Sequence, residues 1–181
     1  MAERVRADAL RNRERLLAAA AAAFAAGTDV SLEAIARTAG VGIGTLYRHF
    51  PSREALTEAV YRTELAEVAA SAAHLLDRHP PAVALRRWMD RYAEFVAAKR
   101  GMAQSLRMVL ESGAVEPGDT RAAIVGAVEL LLTAGAAEGS LRADVRADDV
   151  VSSLLGISLA SRSREQTRRM MDLLAAGLTS H

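Results

Sequence analysis

The chain has 181 residues, of which 51% are hydrophobic and 25% are charged, and its formal net charge is only +1. This length and apolar content allow a sizeable core and argue against wholesale disorder. The absence of cysteine excludes disulfides, thiolate metal sites and cysteine nucleophiles. Aromatic residues make up only 4% of the chain, whereas alanine, leucine and arginine abound. This balance predicts an almost wholly helical protein.

The charge is unevenly distributed along the chain. The first 53 residues carry eight arginines and five acidic residues, a net charge of +3. A solvated helical face explains such a modest bias as well as nucleic-acid binding does, so charge alone decides nothing. The alanine-rich run Ala18 to Ala23 is too short to span a bilayer, and no signal-peptide pattern is present. We therefore expect a cytoplasmic protein without a membrane partner.

The first three predicted helices are one long and two short ones. Helical spacing predicts a first helix over residues 7–26, ended by Gly27. Ser31 is a good N-cap for a second helix that ends near Thr38. A tight turn at residues 39–41 then leads to a third helix over residues 43–49. The apolar face of the first helix consists of Leu10, Leu16, Leu17, Ala20 and Phe24.

Six further helices are predicted in the rest of the chain. Ser52 caps a fourth helix, which extends to about residue 76, and Pro80-Pro81 begins a fifth, which Gly101 ends. A shorter sixth helix covers residues 102–111, and residues 112–118 form a loop. The last three helices cover about residues 120–138, an apolar stretch that begins near Asp148, and residues 164–178. The prediction is nine helices and no sheet.

Two short helices joined by a tight turn, after a longer supporting helix, form the helix-turn-helix arrangement. Gly40 supplies the flexible residue that the turn needs. The third helix must leave an outward face free for the major groove of DNA. Because two packed helices occur in many bundles, this pattern alone is only moderately specific. The outward candidates are Ile43, Gly44, Thr45, Tyr47, Arg48 and His49.

The run from Leu32 to Leu56 resembles the signature of the TetR family of transcriptional regulators. The matching segments are Leu32-Glu33-Ala34-Ile35-Ala36, Ala39-Gly40-Val41, Thr45-Leu46-Tyr47-Arg48-His49-Phe50 and Ser52-Arg53-Glu54-Ala55-Leu56. The resemblance implies an all-α fold with two domains. Residues 1–51 would form a three-helix helix-turn-helix domain that binds DNA, and residues 52–181 a helical domain for effector binding and dimerisation.

The resemblance also implies roles for single residues in DNA binding. Tyr47 and His49 would reach DNA phosphates, and Thr45 would contact the backbone or a base edge. Arg53, at the start of the fourth helix, would clamp another phosphate. The remaining three residues, Ile43, Gly44 and Arg48, would face the floor of the major groove, where an arginine can bond guanine.

In the resembled family the middle helices enclose an effector pocket and the last two form the dimer interface. Aromatic and methionine side chains suit an apolar or amphipathic ligand, although such a stripe is more often simple core. The expected pocket residues are Trp88, Met89, Tyr92, Met108 and Val128. Small residues in the last two helices allow close helix packing between subunits. The expected interface residues are Leu154, Leu155, Ser158, Leu159, Met170 and Leu174.

These observations favour a ligand-responsive repressor that binds a palindromic operator as a homodimer, with no cofactor. The alternatives are a TetR-like activator and a helical module that binds protein rather than DNA. An enzyme is not expected, because no catalytic pair of residues and no metal-ligand spacing is present. The four histidines, at positions 49, 74, 79 and 181, fall on different predicted elements.

Overall fold

The computed structural model describes residues 2–26, 30–100 and 117–180, and within these ranges the protein is helical. No strand is present there apart from an isolated antiparallel bridge between Leu141 and Thr179. The all-α prediction is confirmed. The predicted helix over residues 102–111 and the helix ends at Gly27 and Gly101 lie outside the described residues. The helices are α1 (Ala2–Ala25), α2 (Leu32–Thr38), α3 (Ile43–His49), α4 (Arg53–Leu76), α5 (Pro81–Arg100), α6 (Pro117–Glu138), α7 (Ala147–Ala160) and α8 (Arg164–Leu178).

Serine side chains cap three of these helices, as the sequence predicts for two of them. The hydroxyl of Ser31 accepts a hydrogen bond from the backbone N–H of Ala34 at 3.2 Å, at the start of α2. Ser52 accepts one from Ala55 at 3.2 Å, at the start of α4. Ser163 caps α8 in the same way. Each cap satisfies an N–H group that has no partner within its own helix, and so fixes where the helix begins.

Two helices begin earlier than the sequence predicts. α1 begins at Ala2 rather than near residue 7, and α6 begins at Pro117 rather than near residue 120. Proline is tolerated at the first position of a helix, because its missing N–H group would have no helical partner there. The side chain of Leu10, predicted on the buried face of α1, is instead 62% exposed. From residue 6 onward, the first buried side chain of α1 is that of Leu16.

The described residues up to Thr63 form one compact unit, in which α1 packs against α2 and α3. Its core joins side chains from both ends of the helix-turn-helix to the start of α4. Leu16, Ile35, Leu46 and Leu56 are almost completely buried in it. Removing apolar surface from water stabilises the fold in proportion to the area buried. This shared core therefore holds the short helices α2 and α3 in place.

Residues 64–97, together with the chain from Pro117 onward, form a second compact unit. Trp88 is its largest fully buried side chain, and its indole Nε1 donates a hydrogen bond to the carbonyl oxygen of Val68 at 2.9 Å. The indole also stacks on Tyr92, with ring centroids 5.6 Å apart. This contact joins α4 to α5. Two residues before Trp88 on α5, Arg86 pairs with Asp172 of α8 at 2.7 Å.

The chain after α6 turns back on itself and is held by the C-terminal residues. Gly139 has a φ of +80° at the end of α6. The backbone N–H of Leu141 then bonds the carbonyl oxygen of Gly135 at 3.1 Å. Arg142 donates to Leu178 at 3.0 Å, and Ser180 to Ser140 at 3.2 Å. The connection between α6 and α7 is therefore tied to the end of α8.

Candidate nucleic-acid interface

The turn between α2 and α3 closes as the sequence predicts. Gly40 has a φ of +66°, in the left-handed region that glycine adopts without strain. Its N–H bonds the carbonyl oxygen of Arg37 at 3.1 Å, and that of Val41 bonds Ala36 at 3.0 Å. This pair of bonds is the Schellman arrangement that ends a helix at a glycine. It lets the chain change direction, so that only the four residues 39–42 separate α2 from α3.

The recognition helix α3 has one buried side and one exposed side. Leu46 is completely buried in the core of the first unit. On the opposite side Tyr47 is 47% exposed, and Gly44 and Arg48 are also exposed. A Cβ placed on Gly44 would meet nothing within 4 Å. The helix therefore has an exposed face of polar and small residues, while its other face is packed into the core through Leu46.

Three of the predicted DNA-binding side chains remain partly open. Ile43 is exposed, whereas Thr45 and His49 are half-buried. The His49 ring lies at a tilt to Phe50, with centroids 6.2 Å apart. Arg48 lies along its own helix, with Nε donating to the carbonyl oxygen of Gly44 at 3.2 Å. These residues belong to one short helix, so the fold brings the predicted set together apart from Arg53.

Arg53 occupies a different environment from the other predicted contacts. It is half-buried at the start of α4, and its Nη1 donates a hydrogen bond of 2.7 Å to the carbonyl oxygen of Val30. Its guanidinium also lies 5.7 Å from the centroid of the Phe24 ring. The sequence did not predict these contacts, because Val30 is 23 residues away along the chain and no local pattern marks the pairing. A second arginine, Arg13 of α1, lies 5.4 Å from the Phe50 ring.

The start of α4 also holds a stabilised carboxylate. The pKa of Glu54 lies below its ordinary value because the backbone N–H of Glu54 and then the hydroxyl of Ser52 bond the ionised form. Arg53 adds a smaller electrostatic contribution in the same direction. An acidic group in the first turn of a helix also interacts favourably with the helix dipole. Glu54 therefore stabilises the helix start next to the helix-turn-helix.

Two family models match this chain, one near its N-terminus and one over its C-terminal part. Residues 16–60 match the model described as bacterial regulatory proteins, tetR family. Residues 80–180 match the model described as transcriptional regulator SbtR-like, C-terminal domain. The chain belongs to the TetR family. TetR-family regulators are transcription factors that bind DNA and are generally not enzymes.

Solved structures of other TetR-family regulators are similar over almost the whole chain. A TetR transcriptional regulator from Streptomyces coelicolor is 46% identical, with 93% of this chain and 98% of that chain covered and a TM-score of 0.81. A TetR regulatory protein from Mycobacterium vanbaalenii is 34% identical, with 97% and 99% covered and a TM-score of 0.75. A TetR-family regulator from Pectobacterium atrosepticum shares the fold at 22% identity, with 97% and 98% covered and a TM-score of 0.70. No protein of curated function matches this chain.

The residues predicted to line an effector pocket in this TetR-family protein are buried where the structure describes them. Trp88, Met89 and Val128 are completely buried, and Tyr92 is nearly so. Met108 lies outside the described residues. Their role as ligand contacts stays a prediction.

The predicted dimer residues divide between buried and exposed positions. Leu154 and Ser158 are buried, and Met170 and Leu174 are half-buried. Leu155 and Leu159 are exposed, Leu159 to 64%. Leu173, an apolar residue of α8, is 74% exposed. Helical spacing shows which residues share a face, but it does not show which neighbour covers that face.

An open groove of about 510 Å³ in the second unit was not anticipated from the sequence. It runs along the second half of α6 and is closed on its other side by the connection to α7. Arg142 in its wall is paired with Asp144 at 2.7 Å, which holds the pKa of that carboxyl below its usual value. The groove is lined by Val125, Glu129, Leu132, Thr133, Ala136, Arg142, Ala143, Val145, Arg146, Ala147 and Asp148.

None of the described helices combines the length and apolarity needed to cross a bilayer.

Proposed function

We propose that this protein is a ligand-responsive transcriptional repressor that acts in the cytoplasm and binds a palindromic operator as a homodimer. In this proposal residues 1–51 bind DNA, and residues 52–181 bind the effector and the partner subunit. The observation that carries the proposal is the exposed face of α3, which stands on a fully buried Leu46 within a TetR-family helix-turn-helix.

The proposed DNA contacts divide by chemistry. Tyr47 has a hydroxyl that can donate to a phosphate oxygen, and His49 has a ring N–H for the same purpose. Arg48 has the forked donors that bond guanine in the major groove, and exposed Ile43 suits the methyl group of thymine. Thr45 is proposed to contact the backbone or a base edge. Phosphate contacts would set the position of the protein, and base contacts would select the operator.

Dimerisation through α7 and α8 is supported by the apolar side chains that these helices expose. Leu155, Leu159 and Leu173 would be covered by a second copy of the chain. A two-fold dimer places its recognition helices in successive major grooves about 34 Å apart, which is why its operator is palindromic. One short recognition helix alone offers few contacts, so pairing raises both affinity and selectivity.

The proposed effector is a small apolar or amphipathic molecule bound among the buried aromatic and methionine side chains of α5 and the buried aliphatic side chains of α6. Trp88, Met89 and Tyr92 supply one wall, and Val128 supplies another. Binding there would move α4, which continues from Arg53 to Leu76. The ligand can release the operator only by the difference between its affinities for the DNA-bound and DNA-free states.

The first test is selection of the purified protein on a randomised DNA pool at two salt concentrations. Recovery of a palindrome whose binding weakens with salt would support the proposal. In Tyr47→Phe, which removes only the hydroxyl, we expect weaker binding by about tenfold, because a hydrogen bond to a charged group is lost. Arg87→Gln is the matched control, since Arg87 is exposed on α5 outside the proposed interface.

A folded, helical wild-type protein that enriches no sequence at low salt would contradict the proposal and favour a helical module that binds protein. With an operator in hand, a reporter gene distinguishes repression from activation. Repression that a ligand relieves is expected. Activation would contradict the repressor assignment while leaving operator binding intact.

A further inference from the structure

Arg53 is held inside the helix-turn-helix unit by two contacts on the same guanidinium. Its Nη1 donates to the carbonyl oxygen of Val30 at 2.7 Å, and its centre lies 5.7 Å from the ring of Phe24. Val30 directly precedes the cap of α2, and Phe24 is buried near the end of α1. One side chain at the start of α4 therefore reaches both ends of the connection between α1 and α2.

The bond to Val30 acts at the point where α2 begins. Ser31, the next residue, caps α2 through its bond from Ala34. A guanidinium that holds the Val30 carbonyl fixes the backbone immediately before that cap. Because α2 packs against α3, the position of the recognition helix depends on the position of α2.

A guanidinium that acts mainly as a phosphate clamp needs its donors directed at DNA. Arg53 is half-buried, and one of its donors is already engaged at short distance with the protein. Arg48 is the contrasting case, since it is exposed and bonds only a carbonyl of its own helix in the described part of the chain. The two arginines therefore differ in how freely they present charge.

We propose that Arg53 promotes operator binding as a positioning residue, by fastening the start of α2 to α4, rather than as a direct phosphate contact. The inference rests on the proposed function, because it concerns the same DNA-binding module. It replaces the phosphate clamp that the family resemblance implies for Arg53 with a contact inside the protein. Its chemistry is a charge-assisted hydrogen bond together with the attraction of a cation for an aromatic face.

The test compares the full-length wild type with Arg53→Gln, Arg53→Lys and Arg48→Gln on the selected operator over a series of salt concentrations. Affinity falls as salt rises, so the slope of log affinity against log salt is negative. Each lost phosphate contact reduces the magnitude of this slope by about 0.9. For Arg53→Gln we expect affinity to fall by about tenfold or more with the slope unchanged. Arg53→Lys should also lose affinity, because an ammonium group cannot reproduce the planar fork over the Phe24 ring.

A slope whose magnitude falls by about 0.9 in Arg53→Gln, with affinity restored in Arg53→Lys, would overturn the proposal in favour of a phosphate clamp. Arg48→Gln provides the comparison for loss of a freely presented charge from the same unit. Unchanged affinity in Arg53→Gln would also overturn the proposal.

Amide hydrogen exchange of the free protein gives a reading that does not depend on DNA. Faster exchange is expected in Arg53→Gln at Ala34 and Ile35, whose N–H groups bond to Ser31, and no change in Arg48→Gln. If the wild type binds no operator, the proposed function fails, yet this exchange still tests the fastening of α2. Unchanged exchange at both amides would refute the fastening itself, whatever the DNA result.

Discussion

At the scale of single residues, Gly40 and Gly44 have opposite requirements although they lie four positions apart. Gly40 has a φ of +66°, so an alanine there is forced into a strained conformation. Gly44 lies inside α3 with nothing within 4 Å of the Cβ that a substitution would add. The first glycine is required by the backbone, whereas the second is free to change without a steric penalty.

We therefore expect Gly40→Ala to lower the free energy of unfolding by about 1–2 kcal/mol. Gly44→Ala should raise it by about 0.5–1 kcal/mol, because alanine favours the helix. Urea unfolding followed by circular dichroism measures both changes. Equal stability of Gly40→Ala and wild type would show that the turn tolerates a side chain, contrary to the backbone geometry.

The lowered pKa of Glu54 gives a prediction about pH. A carboxyl whose pKa is lower in the folded state contributes stability above its unfolded-state value near 4.5, and loses that contribution as the pH falls through its folded-state pKa. Glu54→Gln should therefore unfold at a lower temperature than wild type at neutral pH, and the two curves should converge in acid. Thermal melts between about pH 7 and pH 3 measure the gap. A gap independent of pH would contradict the assignment.

Individual residues show where sequence reasoning succeeds. The caps at Ser31 and Ser52 and the turn at Gly40 were predicted correctly because each depends on neighbours within a few positions. The bond from Arg53 to Val30 was missed because it spans 23 positions. The outward residues of α3 were predicted from the helix-turn-helix pattern, but only the structure showed that Thr45 and His49 are half-buried.

At the scale of elements, the end of α6 depends on close approach between a helix and the segment that follows it. Gly135 is buried beneath Leu141, and a Cβ added at Gly135 would lie 2.7 Å from the Cβ of Leu141. That separation is too short for two carbon atoms that are not bonded. Because the clash involves an atom next to the backbone, a change of side-chain rotamer cannot relieve it.

Gly135→Ala should lower the free energy of unfolding by about 1–3 kcal/mol through overpacking. Gly126→Ala, on the same helix with nothing within 4 Å, should raise it by about 0.5–1 kcal/mol. Denaturant unfolding of the two variants in parallel checks the pair. If both glycines respond alike, then helix propensity rather than contact with Leu141 governs α6.

The bounds of α2, α3 and α8 agree with the sequence, because serine, glycine and proline mark helix ends through local chemistry. The early start of α1 was missed, since residues 2–6 carry no capping signal that separates them from the helix. The exposure of Leu10, which lies on the predicted apolar face of α1, was also missed. Periodicity identifies a face, but burial depends on neighbours that are distant in sequence.

At the scale of the whole molecule, the proposed dimer can be tested at the two most exposed leucines of α7 and α8. Replacing Leu159 and Leu173 with glutamate would place charges in an apolar contact between subunits, where they would be desolvated without partners. We expect the double variant to sediment as a monomer and to bind a palindromic operator at least about tenfold more weakly. Analytical ultracentrifugation and operator titration measure the two effects.

Val83→Glu is the matched control, because Val83 is exposed on α5 outside the proposed interface. It should leave sedimentation and operator binding unchanged. A double glutamate variant that remains dimeric would place the subunit contact elsewhere on the chain.

Trp88 is the only tryptophan in the chain, and it lies in the second unit, completely buried and stacked on Tyr92. The protein therefore carries a single indole fluorophore, and its emission wavelength reports only the exposure of the Trp88 core to water. Far-ultraviolet circular dichroism, by contrast, averages over the helices of both units. Overlaid melting curves from the two signals would show whether the DNA-binding unit and the Trp88 core unfold in one transition or separately.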